Sequence, residues 1–130
     1  MSLLTDVIKT TKAEIWVDEE DFLRIRPHAG AELDRCDVEE CFRVYRELGC
    51  GKKKMLQIME GSDDFTMTRE AREYAATHGS EVFLASAMVT NSLAIRLVVN
   101  FFNRFYKASV PFESFTSEKE AKIWLKSHLK

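Results

Sequence analysis

Hydroxyl and carboxylate groups crowd one short stretch, Glu60-Gly61-Ser62-Asp63-Asp64-Phe65-Thr66-Met67-Thr68, between an apolar run and a helical pattern. A hydroxyl at a helix N-terminus can carry a phosphate, because the exposed backbone N–H groups and the helix dipole stabilise the added charge. Ser62, Thr66 and Thr68 are therefore the candidate regulatory loop. Asp63 and Asp64 oppose that chemistry by like-charge repulsion. The same hydroxyls also serve plain structure, with Ser62 in a turn and Thr66 or Thr68 capping the helix. Neighbouring carboxylates rarely point at one metal ion, so Asp63 and Asp64 read as a solvated loop, and the acidic run 18–21 reads the same way.

The other reactive residue types do not assemble. Gly49-Cys50-Gly51-Lys52-Lys53-Lys54 has the composition of a phosphate loop but the wrong order. It leaves a helix and enters a strand, whereas a phosphate loop leaves a strand and opens a helix, and Arg46 stands where the first glycine belongs. His28, His78 and His128 occur in three contexts without the spacing of a zinc site. Cys36, Cys41 and Cys50 are odd in number and lack CxxC spacing, which suits reduced, inert thiols in a cytoplasm. No catalytic residue, metal ligand or cofactor-binding residue is assigned, and no enzymatic activity is expected.

Bulk properties narrow the classes further. The chain has 130 residues, 45% apolar and 31% charged, with a formal net charge of −2. That is one soluble domain without the basic footprint of a nucleic-acid binder. The first twelve residues lack the apolar core of a signal peptide. The longest apolar run, 93–106, is broken by Arg96, Asn100, Asn103 and Arg104, and is too short to span a membrane.

Periodicity then places the elements. Residues 1–12 read as an N-terminal arm and 13–130 as a single domain. Ile15 and Val17 alternate with polar residues, Phe22, Leu23 and Ile25 form a second β-prone run, and the acidic turn between them makes an antiparallel hairpin closed by Pro27. Asp37 and Glu40 have the spacing of a capping box for a helix whose inner stripe is Val38, Cys41, Phe42, Tyr45 and Leu48, ended by Gly49. A buried strand covers 53–59, a helix 67–78, and a second buried strand 82–89. Helix 92–106, strand 110–115 and helix 117–129 complete the chain. The last helix opens on a Ser117/Glu120 capping box and turns Ala121, Trp124, Leu125 and His128 inward. The expected fold is α/β: a mixed, mainly parallel sheet with an N-terminal antiparallel hairpin, in the order ββαβαβαβα.

That order, and the closing piece carrying Ser117, Glu120, Ala121, Trp124 and Leu125, resemble the SpoIIAA-like, or STAS-like, domains of bacteria. The resemblance covers 13–130 and rests on architectural motifs. It implies a cytoplasmic, non-enzymatic module that works through protein contacts. In the anti-sigma-factor antagonists of that group a serine after the third strand is phosphorylated within Asp-Ser-Ser/Thr-Gly. This chain has Gly61-Ser62-Asp63-Asp64-Phe65-Thr66 at the corresponding place. Lipid-binding neighbours of the group imply a second role, the holding of an apolar ligand.

Helix 92–106 carries more apolar surface than one sheet face can cover. Ala94, Ile95, Leu97, Val98, Val99, Phe101, Phe102, Phe105 and Tyr106 extend over more than half of its circumference, whereas a surface helix needs an apolar arc of about 100°. The surplus is buried against neighbouring helices, a second subunit or an apolar ligand. Ile95, Val99, Phe102 and Tyr106 form the candidate interaction surface. The leading expectation is a STAS-like interaction module, homodimeric and in contact with a further protein. The alternative is a carrier or sensor of a small apolar ligand in a cleft beside 92–106.

Overall fold

The structure, a computed structural model, describes residues 6–61, 64–105 and 110–129. In chain order the elements are β1 (Ile8–Lys9), β2 (Ala13–Val17), β3 (Leu23–Pro27), β4 (Glu32–Leu33), α1 (Arg35–Glu47), β5 (Met55–Glu60), β6 (Thr66–Met67), α2 (Arg69–His78), β7 (Phe83–Val89), α3 (Leu93–Phe105), β8 (Phe112–Phe115) and α4 (Glu118–Lys126). Six strands form one sheet in the order β1-β2-β3-β5-β7-β8, and β4 pairs with β6 in a small second sheet. The first three strands are antiparallel neighbours, and β3, β5, β7 and β8 run parallel. Leaving aside the two-residue strands, the order is the ββαβαβαβα expected from the sequence.

Three features depart from that expectation. The segment 1–12, read as an arm, contributes β1, which adds to the sheet edge through Ile8 opposite Ile15. The short strands β4 and β6 pair in parallel, Leu33 opposite Met67. A two-residue strand has no period, so no alternation could announce any of the three. The capping box of α1 lies one turn earlier than Asp37/Glu40: Asp34 accepts from the Asp37 backbone at 3.0 Å, and the Asp37 carboxylate accepts from the Asp34 backbone at 2.9 Å. Aspartate replaces serine and glutamate in both roles, because each carboxylate still reaches a backbone N–H.

Strand alternation sorts side chains to the two faces of the sheet. On one face Ile15, Val17, Leu23 and Ile25 are buried under α1, whose inner stripe is Val38, Cys41, Phe42, Val44 and Tyr45. There α2 lies against α1, with Tyr74 edge-on to Phe42 at 5.2 Å, and α3 covers Met88 and Phe112. On the other face Leu56, Ile58, Ala85 and Ala87 pack on Ala121 and Leu125 of α4.

One buried cation holds that second face together. The Arg24 side chain, only 10% exposed, bonds Asp18 at 2.7 Å, Glu118 at 2.6 Å and Glu60 at 3.2 Å. It joins the hairpin turn, the end of β5 and the start of α4. The acidic run is thus more than a solvated loop. Asp18 accepts from the backbone of Glu20 at 2.9 Å and of Phe22 at 3.0 Å, and Glu20 pairs with Lys122 of α4. Burial works against the charge of Arg24, but Glu118 and Asp18 outweigh it and raise its pKa further.

Removing the cation leaves three carboxylates facing one another, so Arg24→Met is expected to lower stability by about 3 kcal/mol in urea denaturation. The hydrogen bond from Arg24 also holds the Glu118 carboxyl below its ordinary value of 4.5, against a smaller opposing effect of burial. A lowered folded pKa contributes stability that is present above the unfolded value and lost as the pH falls through the folded one. Wild-type stability should therefore decline on acidification below about 4.5, and that decline should be shallower in Arg24→Met. Parallel pH profiles for the two proteins would remove Arg24 from this role.

Candidate functional site

Two helices share one face of the sheet without meeting across its middle: α1 sits over β2 and β3, and α3 over β7 and β8. Between them lies a cavity of about 330 Å³. Its floor is Ile25, Gln57, Met59, Ser86, Met88 and Phe112 on the sheet. Val38, Cys41, Phe42 and Tyr45 of α1 wall one side, and Ile95, Val98, Val99 and Phe102 of α3 the other. Ala75, Ala76 and Arg72 of α2 and the segment Phe65-Thr66-Met67 close over it. The volume is that of a small-molecule pocket.

The few polar groups inside mostly satisfy one another. Ser86 Oγ donates to Gln57 Oε1 at 2.7 Å, and Gln57 Nε2 donates to the Tyr45 hydroxyl at 3.3 Å, all buried. Burial raises the Tyr45 pKa well above its ordinary value, so the hydroxyl stays neutral. The Cys41 thiol is pushed up to about 12 by burial, and the Cys50 thiol to about 11. Neither supplies a thiolate nucleophile near neutral pH. The exception is Arg72. Its Nη1 donates to the Met67 carbonyl at 2.6 Å, while its Nε is buried without a hydrogen-bond partner among the described residues. Arg72 is also the sole charged side chain lining the cavity among the described residues.

The sequence-derived residues fall into two groups. Thr68 caps α2, its Oγ1 accepting from the Ala71 backbone at 3.2 Å. Thr66 lies in β6, where its N–H donates to Ala31 at 2.9 Å, and it borders the cavity. Ser62 lies outside the described residues. The loop they belong to is tied to the start of α3. Asp64 accepts from Ser92 Oγ at 3.1 Å, and Ser92 accepts in turn from the Ile95 backbone at 3.2 Å. Thr90 Oγ1 donates to the Gly61 carbonyl at 2.6 Å and accepts from the Ser92 backbone at 3.0 Å.

The proposed interaction surface needs correction. Ile95, Val99 and Phe102 are buried, at 5%, 2% and 9% exposure, because they form the stripe that α3 turns toward Met88 and Phe112. Tyr106 lies outside the described residues. The outward apolar row is Leu93, Leu97 and Phe101 with Val98 beside it, each about half exposed or more. Periodicity showed that α3 had two apolar sides but not which one met the sheet. Arg72 and Ser86 carry no distinguishing signal in the sequence, and Ser92 stands there only as the first residue of helix 92–106. Gln57 had a readable signal, a lone amide inside the apolar strand Met55-Leu56-Gln57-Ile58-Met59.

These features define a SpoIIAA-like α/β domain with an apolar cavity under its helices. The chain is similar in fold to an uncharacterised protein of the DUF3478 family from Shewanella loihica PV-4 that has a SpoIIAA-like fold. That match has a TM-score of 0.58 and 16% identity, over 92% of this chain and 90% of the other. It is also similar to the anti-sigma factor antagonist SpoIIAA in its unphosphorylated form, with a TM-score of 0.46 and 15% identity, over 93% and 96% of the two chains. Residues 15–129 match the model of the family described as "Domain of unknown function (DUF7793)", and the chain belongs to that family. No curated protein matches it. No helix among the described residues is long and apolar enough to cross a membrane, and among them no three His, Cys, Asp or Glu side chains gather to hold a metal ion.

Two outcomes check this geometry. A thiol reagent applied to the native protein should modify the exposed Cys36 quickly and spare the buried Cys41 and Cys50 until denaturation. Mass spectrometry showing a second rapid adduct would contradict the burial of Cys41 and Cys50. Thr68→Ala should cost about 1 kcal/mol of stability through the lost cap, read by thermal or urea unfolding.

Proposed function

We propose that the protein is a cytoplasmic, STAS-like regulatory module that works by binding rather than by catalysis, and that it senses a small apolar molecule held between the sheet and α3. The observation that carries this reading is the cavity of about 330 Å³, lined almost wholly by apolar side chains. Water is a poor occupant for such a lining, since an ordered water needs two to four polar partners and the Ser86–Gln57–Tyr45 chain is bonded internally. An apolar molecule there would rest on Ile95, Val99 and Phe102, so its presence would bear on the position of α3. The buried, protonated cysteines support the absence of a nucleophilic reaction, and three free cysteines suit a reducing compartment.

A second reading concerns the output. Leu93, Leu97 and Phe101 recur every four residues along the outer face of α3, at 66%, 58% and 49% exposure. A row of that kind supports contact with a second copy or another protein. It takes over the interaction role first given to the inward stripe.

Binding is tested with 1-decanol, a neutral probe that reports the cavity alone. It should raise the melting temperature of the wild type in a saturable manner, through linkage to the folded state. The shift should vanish in Ala75→Phe, where the ring occupies the cavity. No saturable shift in the wild type would end the sensor reading. Light scattering behind size exclusion tests the outer face: Leu97→Asp should convert a dimer to a monomer, and a wild type monomeric at every concentration would end the homodimer reading.

A further inference from the structure

We infer that the ligand of this cavity is an amphiphilic monocarboxylate, a hydrocarbon body with one carboxylate, and that Arg72 is the residue that binds its head group. The inference rests on the sensor reading above and names the ligand class. Among the described residues that line the cavity no Asp or Glu balances Arg72, so its charge stands alone there in an apolar surround. A buried polar atom without a partner is costly, and a charged one more so. The Nε of Arg72 is such an atom, held inside while Nη1 is fixed on the Met67 carbonyl. That bond fixes one arm of the guanidinium, and the arginine's charge stands at the cavity lining, where the head of an occupant would meet it. A carboxylate complements that positive charge, and an uncharged or cationic head does not.

Position agrees with chemistry. Arg72 is only partly buried, so it stands where the cavity meets the surface, while Ile95, Val99 and Phe102 lie deep within. An occupant would place its head at the rim and its chain between α3 and the sheet. The other polar groups of the lining, Ser86, Gln57 and Tyr45, carry no charge and are bonded to one another.

Calorimetric titration with decanoate, 1-decanol and decyltrimethylammonium, at a pH where decanoate is ionised, decides the matter. Decanoate should bind the wild type at least about tenfold more tightly than decanol, as a charge-assisted hydrogen bond would give, and the ammonium more weakly than either. Arg72→Gln should bring decanoate down to the level that decanol shows in the same variant. Arg72→Lys, which keeps the charge, should retain part of the preference for decanoate. Equal binding of decanoate and decanol to the wild type, or a preference that survives Arg72→Gln, overturns the carboxylate inference and leaves the apolar cavity standing. Binding of none of the three overturns the sensor reading and this inference together. Because the wild-type comparison is decisive alone, a poorly folded Arg72→Gln would not rescue the idea.

Discussion

The architecture depends on the parallel pair β5–β7 being covered on both faces, and on those faces being unlike. Toward α4 the pair presents Leu56, Ile58, Ala85 and Ala87, and the two alanines let Ala121 and Leu125 come close enough to bury all four of these small and branched groups. Toward α1 and α3 it presents Gln57, Met59, Ser86 and Met88. The helices stay apart, and the cavity is the result. Close packing on one side and a pocket on the other thus accompany a single alternation of residue type along two strands.

That pocket and the loop after β5 act on the same helix. Ile95, Val99 and Phe102 form the inner side of α3 and a wall of the cavity, while Ser92 at its start is bonded to Asp64 and, through Thr90, to Gly61. A Cβ at Gly61 would meet Met88 Sδ and Thr90 Cβ at 3.0 Å, so the chain passes Thr90 as closely as it does because that residue is glycine. In the proposed reading, a molecule in the cavity and a change in the loop would both be felt at α3. Coupling of this sort needs no long pathway, since both inputs touch one element.

Most of the fold could be read from the sequence because it is written in periods longer than two or three residues. The stripe Val38, Cys41, Phe42 and Tyr45, the near-continuous apolar runs of β5 and β7, and the Ser117 cap each repeat a physical requirement several times over. The candidate site is not written that way. Arg72 looks like any exposed residue of a polar helix until the fold brings Met67 against it. Ser86 and Gln57 find each other across 29 positions of sequence. The mistaken side of α3 has the same origin: Ile95, Val99 and Phe102 run in parallel with Leu97, Val98 and Phe101, and only packing on Phe112 breaks the tie. Hydrophobic pattern fixes which elements form, while the facing of a helix apolar on both sides is settled by its partners.

The two margins of the main sheet also shape how the molecule can meet others. At one margin β1 is two residues long, and at the other β8 is four. Along β8 the Phe112 carbonyl is already occupied, accepting from Asn103 Nδ2 of α3 at 2.6 Å. Borders this short and partly shielded offer a poor template for an added strand, so growth of the sheet from chain to chain, as in fibrils or strand exchange, is discouraged. In the proposed reading, docking on this domain would therefore fall to its helical exterior.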